Sequence, residues 1–162
     1  MKMLLVAASL LISLVSFGQS AEELLDAGYE QYTEGNYEKA VELFEKAVKV
    51  DDQNAEGYYL LGVCQSQLGE NKEAITNYDK AITLSPQYAE AYYEKGYSYF
   101  TMKQYEKAIE FFSKAIQYKL DYVEAYVNRG SVYCLTGQGG KAKQDWTTAR
   151  GYGAEFPELD CE

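Results

Sequence analysis

Histidine is absent from this sequence, and cysteine and proline are scarce, with three and two residues. Without an imidazole the chain has no histidine general base, no Ser–His or Cys–His pair and no imidazole metal ligand. The three cysteines, Cys64, Cys134 and Cys161, are too few and too scattered for a disulfide framework. These absences exclude most common catalytic designs. We therefore expect a chain that is not an enzyme and that binds no cofactor and no metal.

Positive charge is also in short supply, because 15 lysines and arginines face 25 acidic residues and leave a net charge of −10. Nucleic-acid binding needs concentrated cationic side chains, so we expect no nucleic-acid partner. The acids concentrate in residues 21–54, where ten acids stand beside three lysines. This end is either an ordinary solvated surface or a region that attracts a basic segment of a partner.

Long apolar runs are missing except at the start, where Leu4 to Phe17 is mainly apolar and follows the single cation Lys2. As a helix this run would extend roughly 21 Å, which is less than the bilayer core of about 30 Å. The layout is typical of a secretory signal peptide, and we assign residues 1–20 to it, with cleavage after Gly18 or Ser20. A permanent anchor is the alternative. With the signal removed, we expect an exported chain, periplasmic or secreted, without membrane insertion.

What the chain has in abundance is self-similarity. The phrases "GNYEKAVELFEKAV", "ENKEAITNYDKAIT" and "KQYEKAIEFFSKAI" are similar, and their first alanines are 34 residues apart. The same interval spaces five single-residue columns. Three columns hold small residues and one holds aromatic residues throughout. They are Gly28, Gly62, Gly96 and Gly130; Ala40, Ala74, Ala108 and Ala142; Ala47, Ala81, Ala115 and Ala149; and Phe44, Tyr78, Phe112 and Trp146. The early aromatic column is Tyr58, Tyr92 and Tyr126, with Leu24 before them.

Each unit has the pattern of two amphipathic helices joined by a short turn. In the third unit, Tyr92, Gly96 and Tyr99 follow helical spacing, and a second apolar stripe runs from Tyr105 to Ile116. We expect Gly96 to lie where the two helices cross, since a bulky side chain there would push the axes apart. The units so defined are 21–54, 55–88, 89–122 and 123–156, followed by a short acidic tail, 157–162.

These columns resemble those of the tetratricopeptide repeat (TPR) family, which has a period of 34 residues. The resemblance covers the four units, with two departures: Pro86 alone fills the proline column, and Lys103 stands where a turn glycine is expected. It implies an all-α fold, a right-handed α-solenoid of antiparallel helix pairs. A short helix pair cannot bury its apolar face alone, so the units must stack.

The resemblance also implies that the first helix of each unit lines the concave side of the stack. That side would carry the fifth, ninth and twelfth residues of each unit, which we call the groove residues. They are Leu25, Tyr29, Tyr32, Tyr59, Val63, Ser66, Tyr93, Tyr97, Phe100, Val127, Ser131 and Cys134. The aromatic ones either contact a bound peptide or pack on neighbouring first helices. The Lys, Asn and Arg residues with which some family members grip a carboxylate terminus are not matched, because Leu25, Tyr29 and Val63 stand there.

The C-terminal edge and the cysteines leave several possibilities. The last helix is polar except for Ala142, Trp146 and Ala149, so its outer edge is either exposed or covered by a partner. We expect Cys64 to be a small buried residue. A Cys134–Cys161 disulfide and an intermolecular bridge through Cys161 both remain open, whereas Cys64 and Cys134 lie two units apart, beyond disulfide reach.

The sequence thus predicts an exported binding protein that recognises another protein or a peptide segment with apolar and basic residues. It would be a scaffold or adaptor of an envelope assembly. The alternative is a structural repeat protein that forms a weak homo-oligomer through its C-terminal end, and an enzyme is a remote third class.

Overall fold

A computed structural model of the chain describes residues 19–155 and residue 161. Helices make up this part of the chain, and it contains no strand, which confirms the all-α prediction. The helices are α1 (Ala21–Thr33), α2 (Tyr37–Val50), α3 (Ala55–Gln67), α4 (Asn71–Leu84), α5 (Ala89–Thr101), α6 (Tyr105–Tyr118), α7 (Val123–Leu135) and α8 (Gly139–Gly151).

Short turns join the helices into pairs, α1 with α2, α3 with α4, α5 with α6, and α7 with α8. The turn inside each pair needs one residue in the left-handed region, and Gly35, Gly69 and Gly137 supply it with φ of 79°, 82° and 73°. Lys103 adopts the same conformation in the third pair, with φ of 58°. The turn of the third pair therefore has the same geometry as the others although lysine replaces glycine. The Lys103 side chain causes a steric cost at this positive φ.

The core of each pair is an aromatic ring laid against a glycine. A Cβ atom built on Gly96 would lie 2.8 Å from a ring carbon of Phe112, and one built on Gly62 would lie 2.6 Å from the ring of Tyr78. Both rings are fully buried. The predicted reason for the glycine column is confirmed, because any side chain there would displace the ring and separate the two helices.

Neighbouring pairs stack so that the first helices lie on the inner side of a curve. Among the described helices, α1 contacts α3, α3 contacts α5, and α5 contacts α7, whereas the second helices do not touch one another. Each second helix instead packs on the first helix of the next pair, for example α4 on α5. This arrangement is a solenoid with a concave face built from α1, α3, α5 and α7.

Ser20 caps the start of α1. Its Oγ accepts a hydrogen bond from the Glu23 backbone N–H at 3.2 Å, and its own N–H donates to Glu23 Oε2 at 2.9 Å. Of the two expected cleavage points, only the one after Gly18 leaves this capping box intact. The proposed signal peptide otherwise lies outside the described residues, as does the acidic tail except for Cys161. The unit boundaries also stay a prediction. None of the described helices has the length and apolar character that crossing a bilayer requires.

Candidate functional site

The groove residues all lie on first helices, and none of them is buried. Tyr29 and Tyr97 are exposed, and the other ten are half-buried. The face is therefore reachable by a ligand along its whole length. Which of its residues contact a ligand stays a prediction.

Two groove tyrosines are anchored by the protein itself. The Tyr59 ring centroid lies 5.0 Å from that of Tyr88, and the Tyr93 ring centroid lies 5.0 Å from that of Tyr122. Tyr93 also accepts a hydrogen bond on its hydroxyl from Asn128 Nδ2 at 2.7 Å. Tyr88 and Tyr122 are the last residues of the same units and directly precede the next first helices, and Asn128 lies on the next first helix, α7. The two rings thus pack toward neighbouring first helices, which is one of the two interpretations of the sequence, and they form a firm aromatic floor.

Two other groove tyrosines are open. Tyr29 is 54% exposed and Tyr97 is 39% exposed, and each contacts another groove ring of its own helix. The two residues occupy the ninth position of their units. An exposed ring beside a firm aromatic floor is what a peptide side chain needs to gain contact area at little entropic cost.

A pocket of about 470 Å³ lies at the C-terminal end of the concave face. Its floor includes Tyr93, Val127 and Asn128, and its rim carries the carboxylates Glu124 and Glu155. The remaining lining residues are Val123 and Ala154. The pocket is thus apolar inside and acidic at the edge, which favours a ligand with an apolar part and a positive charge.

Glu94 follows Tyr93 on α5. Burial raises the pKa of Tyr59 and the pKa of Tyr93, and the charge of Glu94 raises both further. Within the described residues, its carboxylate accepts no hydrogen bond and forms no ion pair. Burial raises the pKa of this carboxyl to about 7.

Sequence reasoning missed Glu94, Tyr88, Tyr122 and Asn128. Tyr88 and Tyr122 directly precede α5 and α7, at the last position of their units. Glu94 and Asn128 occupy the sixth position, which the groove pattern left out. The available signal was the 34-residue register itself, since Glu94 and Asn128 each lie in the unit after a fifth-position tyrosine, Tyr59 and Tyr93, and Asn128 bonds to the latter.

Cys134, the last groove residue, forms a disulfide with Cys161, with Cα atoms 5.5 Å apart. The sulfur of Cys134 is therefore bonded to the C-terminal tail and is not available as a free thiol in the groove. The tail also reaches α8, because a Cβ on Gly139 would lie 2.9 Å from the Cys161 carbonyl oxygen. Cys64 is free and fully buried, as the sequence predicts, and burial raises the pKa of its thiol to about 12.

Removing this disulfide is expected to lower stability. The bridge closes a loop with a sequence separation of 27, for which the chain-entropy relation gives up to about 3.5 kcal/mol. Reductant should therefore lower the melting temperature of the wild type. Cys161→Ser should melt at the same lower temperature, with or without reductant. If reductant does not change the wild-type melting temperature, the bridge does not support the C-terminal end.

The described residues contain no group of three or more metal-ligating side chains that could hold an ion. Their chemistry on the concave face is that of recognition: phenol rings, amides, aliphatic side chains and carboxylates. Such groups bind apolar and cationic ligands without forming covalent bonds.

Family models match most of this architecture. The description "TPR repeat" fits residues 28–69 and 65–103, and "Tetratricopeptide repeat" fits residues 89–122. A comparison with curated proteins gave no match.

Solved structures agree. A crystal structure of MamA has 33% sequence identity and a TM-score of 0.78, and the match covers 82% of this chain and 77% of that one. The thermophilic TPR protein TTC0263 from Thermus thermophilus has 26% identity and a TM-score of 0.72, over 83% of this chain and 75% of its own. The first TPR of Spaghetti (RPAP3), bound to the HSP90 peptide SRMEEVD, has 19% identity and a TM-score of 0.71. That match covers 73% of this chain and 94% of the other, and it shows the fold alone.

The 34-residue register, the ring-on-glycine core, the stacked helix pairs and these matches all lead to one family. The chain belongs to the tetratricopeptide repeat family.

Proposed function

We propose that this protein binds a segment of another polypeptide along its concave face, as a scaffold or adaptor of an envelope assembly. The observation that carries the proposal is the pair of open rings, Tyr29 and Tyr97, on a face whose other rings are anchored. A protein gains nothing in stability from leaving a ring in water. Exposed aromatic residues on a concave surface are typical of peptide contacts.

The fold relatives support recognition of polypeptides in general terms. The RPAP3 repeat holds a peptide, SRMEEVD, that carries three acidic residues. On the first helices α5 and α7, Glu94 and Glu124 form no ion pair within the described residues, so the concave face is suited to a segment of opposite charge. A single-segment contact of this kind is small and reversible, below the ~1,200 Å² of a standard interface.

Export is part of the same proposal. The layout of residues 1–20 favours it, and so does the Cys134–Cys161 disulfide, because such bridges persist in oxidising compartments outside the cytosol.

A photo-crosslinking amino acid at Tyr97 is expected to capture a polypeptide in the host cell, whereas the same amino acid at Tyr118 is not. Tyr118 is the matched control, since it is 40% exposed but lies on the second helix α6. The crosslinked segment is then synthesised, and its affinity is measured by calorimetry. Tyr29→Ala should weaken binding of this segment at least tenfold, because an exposed contact ring is lost.

The same variant should unfold like the wild type, since Tyr29 is not part of the core. Equal capture from Tyr97 and Tyr118, or unchanged affinity of Tyr29→Ala, would contradict binding on the concave face.

A further inference from the structure

The concave face contains one half-buried carboxylate, that of Glu94, for which the described residues provide no hydrogen bond and no ion pair. The cations of the described first helices are Lys95 and Arg129, and both are already paired, Lys95 with Asp79 and Arg129 with Asp145 at 2.7 Å. Lys119, in the turn before α7, pairs with Glu90 at 3.2 Å. Glu94 is the half-buried acid left over. A buried charge normally acquires a counter-charge or hydrogen bonds, because its desolvation is otherwise uncompensated.

Five tyrosine hydroxyls lie within electrostatic range of Glu94. Burial is the main reason that their pKa values are raised, and the charge of Glu94 raises them further; none of these neutral phenols can compensate it with positive charge. They come from four helices and the residue before α7: Tyr32, Tyr59, Tyr78, Tyr93 and Tyr122. Aromatic faces around a carboxylate form a favourable environment for a cation and an unfavourable one for an anion.

The equivalent position in the next unit shows that this environment does not require a charge. Asn128 lies 34 residues after Glu94 and donates its amide N–H to the Tyr93 hydroxyl at 2.7 Å. A neutral amide is thus accommodated beside the preceding unit's fifth-position tyrosine. Glu94 places a carboxylate beside Tyr59 at the same register, where an amide would cost less free energy of folding.

We propose that Glu94 is the specificity-determining residue of the concave face and binds the side chain of a lysine or arginine in the bound polypeptide. The inference rests on the proposed function and names the chemistry of its ligand. The cation would lie on the floor formed by Tyr59 and Tyr93. A neighbouring part of the same polypeptide would reach the pocket lined by Glu124 and Glu155, whose carboxylates favour a further positive charge.

The test uses degenerate peptide mixtures, acetylated and amidated at their ends, in which the central residue is lysine, arginine, norleucine or glutamate and the flanking residues vary. The immobilised full chain should retain the lysine and arginine mixtures at least tenfold over the norleucine mixture. Glu94→Gln should lose this preference. Glu106→Gln is the matched control, because it removes the same charge from an exposed position on α6 and should keep the preference.

The outcomes separate the two proposals. If no mixture is retained by the wild type, binding of peptides on this face is wrong. If lysine and norleucine mixtures are retained equally, peptide binding stands and the role of Glu94 is wrong. The inference is also overturned if Glu94→Gln keeps the preference for cations.

A stability measurement distinguishes this role from a structural one. Because the folded-state pKa of Glu94 is raised above its unfolded-state value, the wild type should lose stability as the pH rises from about 4.5 to about 7. Glu94→Gln should therefore melt at a higher temperature than the wild type at pH 8, and the gain should shrink toward pH 5. A variant that melts lower at pH 8 would show that Glu94 holds the fold together, which would overturn the inference.

Discussion

Replacing Phe112 with alanine is expected to lower the free energy of unfolding by about 3–5 kcal/mol. The Phe112 ring is fully buried between α5 and α6, and it lies directly against Gly96. The cavity left by the ring cannot be filled from that side, since Gly96 has no side chain to move into it. Urea unfolding followed by circular dichroism measures the loss, which would be a large share of a typical net stability of about 5–15 kcal/mol.

Leu120→Ala is the control for this prediction. Leu120 is 67% exposed in the turn between α6 and α7, so truncating it should change the free energy of unfolding by less than about 0.5 kcal/mol. Similar losses for Phe112→Ala and Leu120→Ala would mean that the ring-on-glycine contact does not hold the helix pair together.

Sequence alone predicted the helix crossing at Gly96 because the glycine column recurs. The ring-on-glycine contact also occurs for Gly28 with Phe44, and a Cβ on Gly130 would lie 2.6 Å from Trp146 Nε1. A contact that every unit must make leaves a column in the sequence, and its 34-residue spacing gives both partners. The helix pairs, their turns and the small residues at the crossings therefore follow from periodicity and elementary sterics.

The candidate site was less predictable for the opposite reason. Ligand recognition depends on residues that differ between units, whereas the 34-residue columns identify only the residues that the units have in common. Glu94 and Asn128 occupy one register position with different chemistry, and nothing in the spacing shows that one bonds to a tyrosine while the other stays unpaired. The Cys134–Cys161 pair needs the path of the tail, which has no periodicity.

Among the ion pairs, too, only those that follow a regular spacing could be predicted from the sequence. The sequence suggests ordinary exposed pairs at i and i+4, such as Glu45 with Lys49, which are indeed 4.0 Å apart. It gives no sign that Lys95 and Arg129, both at the seventh position of their units, are drawn inward. Lys95 reaches Asp79 in the preceding unit, whereas Arg129 reaches Asp145 in its own. The partner of each cation depends on which neighbouring helix has an acidic residue within reach, and this requires the packed structure.

Arg129→Ala is expected to destabilise the protein by about 3–5 kcal/mol, because it leaves the buried carboxylate of Asp145 without its counter-charge. Arg129 Nε donates to Asp145 Oδ2 at 2.8 Å and Nη2 donates to Oδ1 at 2.7 Å, while Nη1 donates to Ser113 Oγ at 2.9 Å. The guanidinium therefore joins α6, α7 and α8 in a bidentate, charge-assisted network. The side chain of Asp145 is only 7% exposed, so water cannot replace the lost bonds.

Two comparisons decide whether burial is the cause. Lys114→Ala removes a cation from an exposed pair with Glu110, 2.9 Å apart, and should cost less than about 1 kcal/mol. The double variant Arg129→Met with Asp145→Leu removes both charges and should recover most of the stability that Arg129→Ala loses, since apolar residues of similar volume replace a buried pair at little cost. If the double variant is no more stable than Arg129→Ala, the loss comes from packing of the arginine side chain. If Lys114→Ala costs as much as Arg129→Ala, burial of Asp145 is not the reason, and the ion pair has no special role in closing the C-terminal end.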